Sequence, residues 1–285
     1  MTDAALRNIS DTARWVAVYR AVESERPDAW FHDPLASRLA GERGREIART
    51  MDFAHKNAWS FVARTVLFDE FVTAGVKQGA DMVVNLAAGL DTRPYRMDLP
   101  ADLPWIEVDL PQLLHEKADA LAGETPRCRL ERVALDLSDR AARRALFDQL
   151  GARARHILVM SEGLVVYLER DEVTTLAEDL LRPTSFTSWA LDMVSPRLLR
   201  MMRDSYDQQR LTEVGAPLKF APPEGPDFFS RIGWTPVHVS SLLHRAAKLK
   251  RLTFRMRLFA LLPDPRGKQP NVPWGGVCVF KRSAP

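Results

Sequence analysis

Between residues 79 and 194 short apolar runs alternate with amphipathic stretches, and this rhythm most constrains what the chain can fold into. The runs 81–87, 105–109, 130–135, 156–160 and 186–193 read as strands, and the intervals between them carry helical periodicity. Leu110, Leu113, Leu114, Ala118 and Leu121 fall on one helix face, and Val173, Leu176, Ala177, Leu180 and Leu181 on another. Ser138 stands where a helix ending at Gly151 would be capped. Strand, helix, strand in repetition predicts a doubly wound, mostly parallel α/β sheet joined by right-handed crossovers.

The flanks complete the expectation. Trp15, Val18, Tyr19 and Val22 follow i, i+3, i+4, i+7 behind Ser10 or Asp11, and a second long helix is expected over 56–76. After Val194 the rhythm stops: 195–215 reads as an extra helix and 216–226 as a proline-rich loop. A second proline-rich loop, 263–273, precedes a last strand at 276–281. One domain is expected, with a helical cap (1–78), a ligand-binding core (79–194), an insertion after the fifth strand (195–228) and a segment completing the sheet (229–285).

Composition excludes several classes. Two cysteines among 285 residues rule out a disulfide scaffold and zinc sites built on cysteine pairs, and the six histidines are scattered. No metal site is expected. No apolar run approaches the roughly 18 residues of a membrane helix, and the first residues lack the pattern of a signal peptide. A soluble, cytoplasmic protein is expected. Forty Lys and Arg against 37 Asp and Glu give a net charge of +3. Thirty-two of the 40 cations are arginine, a balance read as genomic base composition rather than as a nucleic-acid footprint. Arg245, Lys248, Lys250, Arg251, Arg255 and Arg257 form a locally basic stretch with no acid between Ser241 and Pro263. It reads first as a solvated face and second as a surface for anionic substrates or phospholipid.

The chemistry gathers at the ends of the strands. In Met82-Val83-Val84-Asn85-Leu86-Ala87-Ala88-Gly89-Leu90-Asp91-Thr92-Arg93 a buried strand ends in a turn of small residues. Such a turn lets backbone approach a ligand closely. The dinucleotide pattern G-x-G-x-x-G is absent, so a pyrophosphate is poorly served, and a nucleoside ligand without phosphates fits better. Asp109 closes the second strand 20 residues after Gly89, where an acceptor-only carboxylate can take two ribose hydroxyls. Glu107 is the weaker alternative, and a helix-capping role for Asp109 the bland one. Asp136 and Glu162 repeat the arrangement after the third and fourth strands, with Leu137 placed to pack on a flat ring. Arg64 projects from a helix face shared with Phe61, Leu67 and Phe68. A charge so placed needs an anion, either a carboxylate of the protein or that of a bound amino-acid moiety.

Taken together, 84–93, Ile106-Glu107-Val108-Asp109-Leu110-Pro111 and Ser161-Glu162-Gly163-Leu164-Val165-Val166-Tyr167-Leu168 resemble the leucine carboxyl methyltransferase family, and most closely its bacterial O-methyltransferases of polyketide and related pathways. Arg20-Ala21-Val22-Glu23, Phe31-His32-Asp33-Pro34 and Ala63-Arg64-Thr65 also fit. The resemblance spans most of 10–195 and fades beyond. It implies a class I methyltransferase fold with a seven-stranded sheet and S-adenosyl-L-methionine as cofactor. By that resemblance Arg64 holds the methionine carboxylate, and Ala87, Ala88 and Gly89 face the amino-acid tail. Asp109 takes the ribose, Asp136 and Leu137 the adenine, and Glu162 lies by the amino group. Tyr167 is near the acceptor. Ala87 stands where the family usually has glycine.

The reaction expected is methyl transfer to an oxygen of a small molecule, most simply a carboxylate. A carboxyl with a pKa near ~4 is ionised at neutral pH and needs no general base, whereas a phenol near ~10 does. Isolated His32 or His238 are the bases considered for the phenol or hydroxyl alternative, and no residue is assigned as catalytic. The insertion, with Met201, Met202 and Tyr206, is expected to cover the acceptor, Met202 and Tyr206 touching it. Rival readings are a cofactor-binding module without turnover, methylation of a protein C-terminus, and a nicotinamide dehydrogenase. Neither nucleic acid nor membrane is expected as a partner; acceptor and oligomeric state stay open.

Overall fold

A computed structural model describes residues 10–205, 211–213 and 215–283. Four helices come first: α1 (Ser10–Ser24), α2 (Ala36–Thr50), α3 (Asp52–Lys56) and α4 (Ala58–Lys77). They are followed by β1 (Met82–Leu86), α5 (Arg93–Arg96), β2 (Pro104–Asp109), α6 (Pro111–Ala120), β3 (Arg129–Ala134), α7 (Arg140–Gly151) and β4 (Ile157–Ser161). A short 3-10 turn at Val165–Tyr167 leads to α8 (Arg170–Leu181), β5 (Phe186–Val194) and α9 (Pro196–Arg203). The chain ends with α10 (Asp227–Ser230), β6 (Trp234–Ser241), α11 (Leu242–Lys248), α12 (Phe254–Phe259) and β7 (Gly275–Arg282).

The seven strands form one sheet in the order β3-β2-β1-β4-β5-β7-β6, with β7 antiparallel to both neighbours and the first five strands parallel. Every residue of β1 and β4 is buried, as expected for central strands covered on both faces. Alternation divides the side chains between two cores. Val84, Leu86, Ile106 and Val108 pack with Phe147 and Leu150 of α7 and Val173, Leu176 and Leu180 of α8. Val83, Trp105, Leu158 and Met160 face the other way, onto Leu67, Phe68 and Val72 of α4. The sheet thus matches the doubly wound, mostly parallel architecture anticipated.

Local readings fared unevenly. The helix expected over 56–76 is α4, but α2 and α3 were not anticipated. Their apolar residues, among them Leu39, Ile47 and Ala48, find partners on α1 and on the turn after β1 rather than in their own neighbourhood. The cap of α7 is Asp139, whose side chain accepts from the Ala142 N–H at 3.0 Å, not Ser138. Of the helix expected over 195–215, the described residues show α9 ending at Arg203 and helix again at 211–213. The stretch after Ser241 is helical, as α11 and α12.

Candidate active site at the carboxyl ends of the strands

Because β1, β2, β4 and β5 run parallel, the residues that close them share one edge. The direction of winding reverses between β1 and β4, which is the usual position for a ligand crevice. A cavity of about 1240 Å³ opens there. Ordinary small-ligand sites occupy roughly 300–1,000 Å³, so this one has room for two molecules side by side. Arg64, Ala87, Ala88, Gly89, Asp109, Asp136, Leu137, Glu162, Tyr167 and Met202 all line it. Tyr206 lies outside the described residues.

The turn after β1 is built around two left-handed residues, Ala87 at φ +54° and Gly89 at φ +50°. The Gly89 N–H donates to Asp109 Oδ2 at 2.6 Å, and the Leu110 N–H donates to Oδ1 at 2.7 Å. Asp109 therefore locks the β1 turn to the end of β2, and α6 begins beyond it with no side-chain cap. Each carboxylate oxygen has a further lone pair, so two acceptor positions remain for hydroxyl groups. Burial pushes the Asp109 carboxyl above its usual range, against the two backbone N–H groups that favour its ionised form. Glu107 is excluded from ligand binding. It is fully buried and held by Lys117 Nζ at 2.7 Å and Arg132 Nε at 3.0 Å, so it neutralises the underside of the sheet edge.

Arg64 reaches from α4 between two strand ends. Its Nε donates to Glu162 Oε1 at 3.0 Å and its Nη1 to Asp192 Oδ2 at 3.1 Å, so two carboxylates of the protein meet it on one side. Burial opposes the guanidinium charge, yet Asp192 and Glu162 outweigh it and raise its pKa further. A guanidinium has five N–H donors, so those on Nη2 and the second on Nη1 are left for a ligand. Glu162 is shared: Arg93 Nη2 stands 2.9 Å from its Oε2. Asp192 is shared too, accepting the Gly163 N–H at 2.6 Å. Gly163 sits at φ +69°, a left-handed backbone that glycine adopts without steric cost, and a methyl group there would meet Arg64 Nη1 only at an ordinary contact distance of 3.6 Å.

Asp192 and Arg93 were missed in the sequence. The available signal was one acid in the otherwise apolar strand Trp189-Ala190-Leu191-Asp192-Met193. Arg93 is nearly buried and bonds to Asp69 at 2.7 Å and Asp91 at 3.0 Å. Asn85 donates to Asp91 at 2.8 Å, so the strand itself joins this network. Burial alone would raise the Asp91 carboxyl, but Arg93, Lys117 and Arg96 overrule it and hold it at about 2.

The N-terminal motifs brace the same turn. Arg20 Nε donates to Asp33 at 2.9 Å and its Nη2 to the Leu90 carbonyl at 2.6 Å, while Thr92 Oγ1 donates to Asp33 at 2.6 Å. The N-terminal segment around Arg20 and Asp33 thereby closes over a loop about 60–70 residues further along the chain. Asp136 is exposed and accepts the Ser138 N–H at 2.9 Å, a bond that lowers its pKa, with Leu137 half-buried beside it.

Tyr167 is held among Arg64 and Asp192, and burial pushes its hydroxyl up to about 12. The far end of the cavity is apolar, lined by Leu198, Met202, Leu211, Leu218 and Trp274. His244 is the one histidine among the described lining residues. Its Nε2 lies 2.8 Å from the Leu262 carbonyl and must donate to it, while Nδ1 is buried without a partner. His32 and His238 do not line the cavity; His238 bonds to Ser240 on β6 instead. No group of three or more metal-ligating side chains occurs among the described residues, and no described helix is long and apolar enough to cross a membrane.

Known proteins resemble this chain over much of its length. A protein of Mycobacteroides abscessus named "Putative S-adenosyl-L-methionine-dependent methyltransferase" is 35% identical over 61% of this chain and 61% of its own length. A relative with the same description from Mycolicibacterium paratuberculosis is 32% identical over 68% of this chain and 73% of its own. The first of these alignments, and one with a Parafrankia protein of similar name, span only about three fifths of the relatives' length. A DUF574 family protein from Streptomyces avermitilis superposes with a TM-score of 0.60 at 14% identity, over 95% of this chain and 97% of that one. A structure from Thermobifida fusca described as "a putative methyltransferase" gives 0.59 at 13% identity over 99% of this chain and 97% of that one. These two show the shared fold. Residues 13–181, from α1 to the end of α8, match the leucine carboxyl methyltransferase family, and the chain belongs to it.

Proposed function

We propose that this chain transfers a methyl group from S-adenosyl-L-methionine to an oxygen of an apolar small molecule, with a carboxylate as nucleophile. The lock between Gly89 and Asp109 on the rim of a two-molecule cavity carries the reading. The residues present fit the cofactor. The free donors of Arg64 suit its carboxylate, the remaining lone pairs of Asp109 its ribose hydroxyls, and Asp136 and Leu137 its adenine. Glu162 stands beside Arg64 at 3.0 Å, where an ammonium group would meet a carboxylate. Ala87, Ala88 and Gly89 lie along the amino-acid tail. When bound, the cofactor supplies an activated methyl group.

The protein's own part is placement. In-line transfer requires the nucleophile, methyl carbon and leaving group to be held in a row, and a rigid cleft meets that need. The cluster of Arg64, Glu162, Asp192, Arg93 and Asp91 is tied together from α4, α5, β5 and the turns after β1 and β4, so it fixes one end of the row. Leu198, Met202, Leu211 and Leu218 exclude water at the other. His244 has Nε2 committed and Nδ1 shut away, and the Tyr167 hydroxyl stays protonated with a pKa of about 12. Neither offers a base, which favours an acceptor that is already ionised. The Tyr167 hydroxyl then acts as a hydrogen-bond donor beside it.

Calorimetric titration with S-adenosylhomocysteine, with NAD as control, tests the cofactor assignment. One-to-one binding at micromolar strength is expected, and no heat from folded, ligand-free protein refutes it. Labelled-methyl transfer to a panel of lipophilic carboxylic acids and phenols tests the acceptor. Transfer to acids is expected, and transfer to phenols alone overturns the carboxylate reading. Tight binding with no transfer to either favours a binding module without turnover.

A further inference from the structure

The locally basic stretch after Ser241 is also apolar on its outside. Phe254, Leu258 and Leu261 recur at i, i+4 and i+7 along α12 and its last turn, the spacing of a stripe that ordinarily faces a core. Here the stripe faces solvent, with Phe254 77% and Leu261 80% exposed. Met256 and Ala260 take the inward positions against Ala246, Leu249 and Leu252. Lys248, Lys250, Arg255 and Arg257 are exposed around the stripe. Arg245 and Arg251 are engaged instead, with Glu70 and with Glu23 and Asp28 respectively. Exposed apolar residues scattered singly need no explanation, but a cluster ringed by cations marks a contact surface.

Position adds to the case. Phe259 and Leu262 are exposed and also line the large cavity. The patch is therefore continuous with the cavity mouth, and His244 pins the Leu262 carbonyl from α11. Charge selects the occupant. A second copy meeting the first about a two-fold axis would set this acid-free stretch against itself. An anionic partner meets no such repulsion. Side chains that stand almost wholly clear of the surface match a fluid phase, which needs no complementary pockets.

We infer that α12 and the turn after it dock the protein on anionic lipid, Phe254, Leu258 and Leu261 entering the acyl boundary beneath a ring of Lys248, Lys250, Arg255 and Arg257. Such docking runs against the expectation that no membrane takes part. The docking does not depend on the methyl-transfer reading; only the corollary does, that a lipophilic acceptor enters the cavity directly from the lipid.

Flotation of the full chain with phosphatidylcholine vesicles, and with a phosphatidylglycerol-rich mixture, tests it without cofactor or acceptor. Binding to the anionic vesicles is expected to exceed binding to the neutral ones at least ~10-fold and to fall steeply with salt. The variant Phe254→Ser/Leu258→Ser/Leu261→Ser should lose binding while keeping its thermal midpoint, since all three side chains are exposed. Lys248→Glu/Arg255→Glu should independently weaken binding at least ~10-fold, from about fivefold per basic residue. Absence of binding, equal binding to both vesicles, or retention by the charge variant overturns the inference. So does a dimer in sedimentation that the serine variant dissociates without any vesicle binding.

Discussion

Ala87 holds its methyl group in the left-handed region at φ +54°, and that single angle makes a signed prediction. An L-residue there costs roughly 1–2 kcal/mol, which glycine does not incur. Glycine also frees the unfolded chain, worth roughly 0.4–1 kcal/mol in the other direction. Ala87→Gly should therefore stabilise the fold by about 0.5–1 kcal/mol. Ala88, its neighbour, is 5% exposed and is not among the positive-φ residues. The same substitution there loses ~0.5–1 kcal/mol of backbone preference and ~0.8 kcal/mol for the buried methyl. The two variants should thus lie about 2 kcal/mol apart, on opposite sides of the parent. Urea unfolding with unchanged m-values reads the difference directly as a shift in midpoint. Equal losses for both variants would refute the argument, because they would mean that the turn carries no strain at Ala87. S-adenosylhomocysteine affinity should be kept or improved in Ala87→Gly, and lost in Ala87→Val, whose branched side chain disfavours this backbone further.

Other outcomes follow from the charge networks. Glu107→Gln leaves Lys117 charged and fully buried beside a neutral amide, so it should destabilise by ~3–5 kcal/mol in urea unfolding yet leave S-adenosylhomocysteine affinity within a fewfold. Asp109→Asn should do the reverse in emphasis. It keeps one acceptor but turns an amide donor toward the Gly89 or Leu110 N–H, costing ~1–3 kcal/mol of stability and at least ~10-fold in affinity by calorimetry. Asp91 has its pKa depressed to about 2, so it adds stability that is complete above its unfolded pKa near ~4 and disappears as pH falls toward 2. Asp91→Asn should accordingly cost about 2 kcal/mol at neutral pH, with the gap to the parent closing across that acid window in pH-stepped urea unfolding. Arg64→Met leaves Glu162 to Arg93 and Asp192 to the Gly163 N–H, so the protein should stay folded while S-adenosylhomocysteine binding drops at least ~10-fold.

How much of this was legible beforehand depended on how local the cause was. The strands β1, β2, β4 and β5 were readable because each is a short buried run between turn signals, a property of adjacent residues. Asp109, Asp136 and Glu162 were readable as a set because parallel strands must end on a common edge. Helices α2 and α3 were not, since their apolar faces answer to surfaces contributed by α1 and by the turn after β1. Asp192 was missed because one acid in an apolar strand becomes meaningful only when its partner is known.

The order of strands and helices, the small-residue turn and the row of carboxylates at strand ends were determined by the sequence itself, through periodicity and the geometry of parallel crossovers. Tertiary structure alone decided which anions Arg64 meets, for Glu162 and Asp192 lie 98 and 128 residues further along the chain. It also withdrew Glu107 from the ligand by supplying Lys117 and Arg132. And it turned the stripe of Phe254, Leu258 and Leu261 outward, against its own periodicity, because Met256 and Ala260 fill the available place against α11. A helical period states that one face differs from the other; which of them meets water depends on the surface it lands on.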